Sequence, residues 1–274
     1  MIFDTLWIDI SIIASIIVSC ILAYREKALT LLGAVFAFFL TVGLYISGGI
    51  PFLAALFGFF ISSSFFTKLW TREKKDLEKA LYEKGGKRDH IQVLANGGAA
   101  FIIAAAYYLI PGKQFSVAFF VAIAACNADS WASEIGIMSR STPFSIINFK
   151  PVQRGMSGGL TFLGLFASAC GALFIAVIYF VFMFVSIPFL ELIRDCTIIA
   201  VFGFAGAAID SALGAVFQPA YVDSAGRLTE KRAHGKVQNK KVKGFRFFSN
   251  DMVNFVSSLV AACLAYSVLM TPWV

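Results

Sequence analysis

Charge is what this sequence has least of: 14% of its 274 residues are Asp, Glu, Lys or Arg. A soluble domain carries about 25%. With 59% hydrophobic residues and a mean hydropathy of +0.80, the deficit points to lipid as the solvent. Paired cysteines are lacking as well. Cys20, Cys126, Cys170, Cys196 and Cys263 stand singly in apolar runs with no CxxC among them. A disulfide or zinc framework is therefore excluded, and they read as small buried hydrophobes. No Lys or Arg precedes the first apolar run, where Asp4 and Asp9 stand instead. That run does not resemble a cleaved signal peptide and is expected to be retained as a helix. A GxxxxGK[ST] is also absent, which excludes a soluble-type phosphate loop.

What the chain does contain is a series of long charge-free runs and 30 phenylalanines. A membrane-spanning helix needs roughly 20 mostly apolar residues. Eight segments approach that length: 6–23, 29–46, 50–66, 91–110, 115–138, 157–185, 197–218 and 251–270. The sixth is long enough to tilt or to project beyond the lipid. The expected fold is an all-α polytopic membrane bundle of about eight transmembrane helices, with 1–274 forming a single membrane domain. Four polar stretches separate these runs, at 24–28, 67–90, 139–156 and 219–250. Strict alternation of eight spans places all four on one side, together with all of the 23 Lys and Arg except Lys113 and Arg194. Because Lys and Arg are retained on the cytoplasmic side, the large basic loops are expected there and both termini outside. In a bacterium the membrane would be the plasma membrane. The net charge of +7 is then a topology signal with an attraction to anionic headgroups, not a nucleic-acid footprint. Within the loops, 67–87 reads as an amphipathic surface helix stopped by Gly85-Gly86. The glycine- and lysine-rich stretch 219–250 reads as a flexible loop or lid.

Ionisable groups at membrane depth are costly and usually face the bundle interior. Four acids need an account: Asp129, Glu134, Asp210 and Asp251. At about 100° per residue, Asn127, Asp129, Ser130, Ser133 and Glu134 share an arc of roughly 160° on one helix. Asp210 lies late in a helix of the same direction, in Gly206-Ala-Ala-Ile-Asp-Ser-Ala-Leu-Gly214. Asp251 and Asn254 open the last helix, and Asn96-Gly97-Gly98 opens the fourth. All four acids thus fall near the cytoplasmic level. Simpler roles exist for single motifs: Gly203, Gly206, Ala207 and Gly214 as close-packing positions, the acids as ion-pair partners, Asn250-Asp251 as a helix cap. None of these explains several carboxylates from separate helices at one depth, where like charges repel unless balanced. Oxygen donors of Asp, Glu and Asn suit Mg²⁺, which bridges carboxylates to substrate phosphates.

Basic partners are near in sequence. Lys150-Pro-Val-Gln-Arg154-Gly-Met-Ser157-Gly158-Gly159 leads into the sixth segment. Its glycines expose backbone N–H groups, and a helix N-terminus there would add partial positive charge. Arg154 offers a bidentate fork to a phosphate. His90 and His234 lie in basic loops and read as solvated.

These motifs together resemble the transmembrane protein 19 family, a group that includes the plant phytyl-phosphate kinase. The matching stretches are Lys27-Ala-Leu-Thr30, Phe59-Phe-Ile-Ser-Ser-Ser64, Gln92-Val-Leu-Ala-Asn-Gly97, Ala128-Asp-Ser-Trp-Ala-Ser-Glu-Ile-Gly136, Arg154-Gly-Met-Ser-Gly-Gly159, Ile209-Asp-Ser-Ala-Leu-Gly214, Gln218 and Asn250-Asp-Met-Val-Asn254. They run in order over most of the chain. Ser130 and Met156 depart from it, each standing where the family commonly has Thr. The resemblance implies a membrane kinase that converts a prenyl monophosphate to the diphosphate with a nucleoside triphosphate. On this reading Asp129, Glu134, Asp210 and Asp251 hold Mg²⁺. Asn96, Gln218, Asn250 and Asn254 orient ligands, while Lys150, Arg154 and the Ser157–Gly159 backbone take the phosphates. The isoprenoid tail would lie between Phe-rich helices and the nucleotide would arrive from the cytoplasm. A prenol kinase or cytidylyltransferase would use the same parts. An ion-coupled transporter or lipid flippase would use buried acids differently, near the midplane and with internal repeats. Here the acids are off-centre, and the shared direction of Asp129-Ser130 and Asp210-Ser211 is the one hint of a repeat.

Overall fold

Among the described residues the apolar runs become seven helices, each long and apolar enough to cross a membrane. The computed structural model describes residues 2–69, 87–224, 226–234 and 237–271. The helices are α1 (Ile2–Arg25), α2 (Leu31–Lys68), α3 (His90–Leu109), α4 (Lys113–Gly136), α5 (Phe162–Met183), α6 (Phe189–Phe217) and α7 (Asn250–Leu269). Several starts are written locally. Thr30, Thr161 and Ser249 each accept a backbone N–H of the first turn. Asp89 and Gln92 form a reciprocal capping box before α3. The amphipathic helix expected over 67–87 lies almost entirely outside the described residues.

Seven helices rather than eight arise because the segments expected at 29–46 and 50–66 belong to one broken helix. At Gly49 the backbone takes φ 67°, ψ −152°, a conformation open in practice to glycine alone, and Pro51 follows. A straight helix would separate Gly33 from Ser63 by about 45 Å. Both meet Arg88 instead. The Arg88 guanidinium donates to Ser63 at 2.8 Å, and its carbonyl lies against Gly33 and accepts from the Thr30 N–H at 3.0 Å. The chain therefore doubles back at Gly49, and α2 is a hairpin of two antiparallel arms, 31–48 and 50–68.

The core is built on α4, whose run Val117–Ala128 is buried all round. Phe52 stacks on Phe119 at 3.8 Å between ring centroids, and α5, α6 and α7 surround the helix. At one end of the bundle, contacts join the polar stretches. Lys68 pairs with Glu26 at 2.9 Å, Thr67 donates to Glu134 at 2.9 Å, and Gln153 donates to the Leu228 carbonyl. Two helix bounds differ from the sequence reading. α5 starts at Phe162, not at 157, because Thr161 provides its cap. α6 starts at Phe189, eight residues before 197, with Pro188 at its N-cap. The early turns of α6 carry Glu191, Arg194 and Asp195, and Lys113 of α4 comes within 2.6 Å of Glu191 and 2.9 Å of Asp195. Asp195 is 0% exposed and also accepts from Tyr179 at 3.0 Å.

The stretch 219–250, expected to be a flexible loop or lid, folds into short strands. β3 (Ala220–Val222), β4 (Leu228–Thr229) and β7 (Lys240–Lys243) form a sheet in the order β4-β3-β7. β5 (Ala233–His234) and β6 (Val237–Gln238) form a hairpin. A smaller ladder joins β1 (Phe144–Ser145) to β2 (Gly159–Leu160) in the preceding loop.

Candidate functional site

Small residues bring α6 against α4. A Cβ on Gly203 would lie 2.6 Å from the Ala124 Cβ, and one on Gly206 would lie 2.4 Å from that of Ala125. This close approach carries Asp129 and Asp210, both two turns before the ends of their helices, near enough to repel one another. Asp210 is 8% exposed and accepts from Ser257 Oγ at 2.9 Å. In the amide orientation that satisfies its neighbours, Asn254 donates to Asp210 Oδ2 at 3.0 Å and to the Asn250 carbonyl at 3.1 Å. Asp129 differs: among the described residues no group donates a hydrogen bond to it or pairs with it, and it faces a cavity of about 590 Å³.

That cavity collects residues from five of the seven helices and from the loops at their ends. Asn96 enters it from α3, Asp129 and Glu134 from α4, and Asp210 and Gln218 from the end of α6. Asn250, Asp251 and Asn254 enter from α7, and Arg154, Ser157, Gly158 and Gly159 from the loop before α5. Lys150 does not line it; this residue is exposed, in the turn that pairs Phe144 with Pro151. The expected cap is also displaced by one: Ser249, not Asn250 or Asp251, accepts the N–H of Met252.

The polar arc of α4 divides between two tasks. Asn127 is fully buried and faces away from the cavity, donating to the Gly171 carbonyl at 2.7 Å and accepting from Ser62 at 3.0 Å. Glu134 lies on the cavity wall but accepts from Thr67 at 2.9 Å, and its charge is felt by the half-buried Arg88. Glu134 thus ties α4 to the α2 hairpin. Among the described residues no three His, Cys, Asp or Glu form a group able to hold a metal. The expected set of Asp129, Glu134, Asp210 and Asp251 is therefore not assembled as one cluster; the close carboxylates are Asp129 and Asp210.

The glycine-rich loop also differs from expectation. Ser157–Gly159 is not a helix N-terminus but a turn running into β2, with Gly158 at φ +81° packed on Ala215. Its anion is internal. Glu230, just after β4, accepts from both the Ser157 N–H, at 3.1 Å, and the Ser157 hydroxyl, and from Gln218 Nε2 at 2.9 Å. Burial pushes the Glu230 carboxyl above its ordinary range, opposed by the Ser157 and Gln218 hydrogen bonds and by Lys243. Lys243 is itself lowered by burial and donates to the Ala215 carbonyl at 3.1 Å.

Three arginines complete the cavity: Arg154, Arg232 and Arg246. All are exposed, and among the described residues none has an acidic partner. Carboxylates therefore sit deep and unpaired guanidinium groups sit at the rim. Glu230, Arg232 and Arg246 escape a reading of the sequence, because they lie in the turns beside strands that are two to four residues long and show no period. The one available signal was their position in a basic stretch that ends at Asn250-Asp251.

Two relatives extend along most of the chain. Protein PGR of Arabidopsis thaliana is 30% identical over 92% of this chain and 94% of its own length. An uncharacterized membrane protein of Methanocaldococcus jannaschii is 29% identical over 78% of this chain and 87% of its own. No solved structure matches. The profile of the integral membrane protein DUF92 family matches residues 14–262, and the chain belongs to that family.

Proposed function

We propose that this protein is a membrane-embedded kinase that transfers the terminal phosphoryl group of a nucleoside triphosphate to an isoprenoid monophosphate. The observation that carries this reading is the charge gradient of the cavity, with Asp129 and Asp210 at its floor and Arg154, Arg232 and Arg246 at its rim. In the reaction an oxygen of the acceptor monophosphate forms the new bond to phosphorus, and the bond to the departing nucleoside diphosphate breaks. The acceptor is already anionic, so no strong general base is needed, and neither His nor Cys lines the cavity among the described residues. Positioning and charge compensation are the main requirements. The arginines supply forked donors for two polyanionic substrates. Asn96, Asn250 and Asn254 supply neutral donors beside the floor.

The donor set fits a hard divalent cation, since Asp129 and Asp210 are adjacent and Asp129 receives no protein hydrogen bond among the described residues. Asp129 and Asp210 would hold Mg²⁺, which when bound neutralises phosphate charge and orients the triphosphate. Glu134 is left out of this set because of its bond to Thr67. The nucleotide side of the cavity would face the cytoplasm, as the distribution of basic residues indicates.

The test uses detergent-purified protein with phytyl, geranylgeranyl and farnesyl monophosphates and each labelled nucleoside triphosphate. The expected product is a lipid diphosphate together with a nucleoside diphosphate. Release of pyrophosphate with a nucleotide-linked lipid would identify a cytidylyltransferase instead. No lipid product, with ion-coupled uptake in proteoliposomes, would identify a transporter.

A further inference from the structure

Gln92 and Asn96, one turn apart on α3, line two cavities at once. On one side is the polar chamber. On the other is an open groove of about 80 Å³ between α1, α2 and α3, with an almost wholly apolar surface. Cys20, Leu40, Leu56, Phe60, Val93 and Gly97 form its walls. On the groove side α3 has no side chain at Gly97, so Leu40 packs directly on its backbone; a Cβ there would lie 2.6 Å from Leu40. The groove also has a polar end: Arg88 lines it, with its guanidinium held by Ser63 and stacked near Phe60 at 5.3 Å.

The helix that covers this groove is peripheral. Among the described residues α1 packs mainly on α2, and Ile17, Val18, Ile21 and Leu22 are exposed on its outer side. Two polar clasps hold it near its ends: Tyr45 donates to Asp9 at 2.5 Å, and Lys68 pairs with Glu26 at 2.9 Å. Between the clasps, at the level of Cys20, the groove opens. An apolar gap beside α1 that shares the wall residues Gln92 and Asn96 with an arginine-rimmed polar chamber matches a ligand with an apolar chain and an anionic head.

We infer that the lipid substrate enters sideways from the bilayer between α1 and α3. The head-proximal part of its chain lodges against Leu40, Leu56, Phe60, Val93 and Gly97, and its phosphate passes Asn96 into the polar chamber. This inference rests on the proposed kinase reading. The groove is too small for a whole isoprenoid chain, so the remainder stays in the lipid along α1.

The test is photolabelling of the purified protein by a geranylgeranyl monophosphate with a diazirine near its head, mapped by mass spectrometry, alongside the kinase assay. Label is expected on the groove-facing turns of α1, both arms of α2, and α3. Cys20→Trp and Ala23→Trp fill the groove from the peripheral helix. Each is expected to raise the lipid KM about tenfold and to leave the nucleotide KM unchanged. Label in the groove without phosphoryl transfer would sustain the groove and overturn the kinase. Transfer with label elsewhere, for instance between α5 and α6, or Trp variants with an unchanged lipid KM, would overturn the groove and leave the kinase standing. A wild-type protein that is neither labelled nor active would overturn both.

Discussion

Asp129 and Asp210 are neighbours with the same charge, yet the protein treats them in opposite ways. Asp210 is anchored by Ser257 and Asn254, whereas Asp129 has no such partner among the described residues. Asp210→Ala would remove the acceptor shared by Ser257 and Asn254 and is expected to destabilise the fold by about 1–3 kcal/mol. Asp129→Ala removes a repulsion and should leave the melting temperature in detergent unchanged or raised. Both substitutions are expected to lower phosphoryl transfer at least about 100-fold. Equal stability losses would show that the two residues do not have these different roles. Glu230 gives a second residue-scale test. Its pKa is raised from the ordinary value of 4.5 by burial, so the docked carboxyl holds its proton where an undocked one has released it. Docking stability is therefore fully present below about 4.5 and is lost as pH rises through the raised value. Amide exchange in β3 and β4 is expected to quicken over that window, and Glu230→Gln should flatten the dependence. At this scale the sequence marked the acids well, because an ionisable group within an apolar run stands out. It could not distinguish Glu134, whose Thr67 partner comes from a distant helix, from Asp129, which has none among the described residues.

Among the helices, contact between α4 and α6 sets the site, and it depends on the absence of side chains at Gly203 and Gly206. Gly206→Val would drive a branched side chain into Ala125, at an expected cost of about 1–3 kcal/mol, and would move Asp210 away from Asp129. Gly206→Ala should show a milder version, which Ala125→Gly would relieve in melting temperature and turnover together. If the second change relieves neither, helix spacing does not control the site. Periodicity and length made the helices legible, with the exceptions at their ends. Thr161 shortened α5 and Pro188 lengthened α6, because caps decide where an apolar run begins to be helical. The break in α2 could be read as a boundary from Ser47–Pro51, but its geometry depends on Gly49 at positive φ. The strands of 219–250 were illegible. Their stability comes from docking Glu230 and Gln218 against Ser157, not from their own sequence pattern.

For the whole molecule, the two basic residues that break the charge asymmetry are the informative ones. Lys113 and Arg194 lie at the end of the bundle away from the cavity, and there they meet Asp195 and Glu191. They are two of the 23 Lys and Arg, too few to reverse the asymmetry that orients the chain. The remaining basic residues fall with the polar stretches, and the Glu26–Lys68, Thr67–Glu134 and Gln153–Leu228 contacts join those stretches at one end. Doubling back at Gly49 gives an even number of apolar arms among the described residues, with the start of α1 and the end of α7 at the opposite end. This arrangement makes a topology experiment sharp. In a cysteine-free background, a cysteine replacing Lys240 in the basic sheet should react with an impermeant maleimide only after the cells are permeabilised. A cysteine replacing Met270 should react in intact cells. The reverse pattern would put the arginine rim outside, away from cytoplasmic nucleotide, and would overturn the kinase on topology alone. Asp195→Asn tests the same balance from within. It removes the buried counter-charge of Lys113 and Arg194, which keep Glu191 and are one-third exposed, at an expected cost of about 1–3 kcal/mol measured by unfolding in detergent. The labelling pattern should nonetheless stay the same, because two charges cannot outweigh the basic loops at the other end.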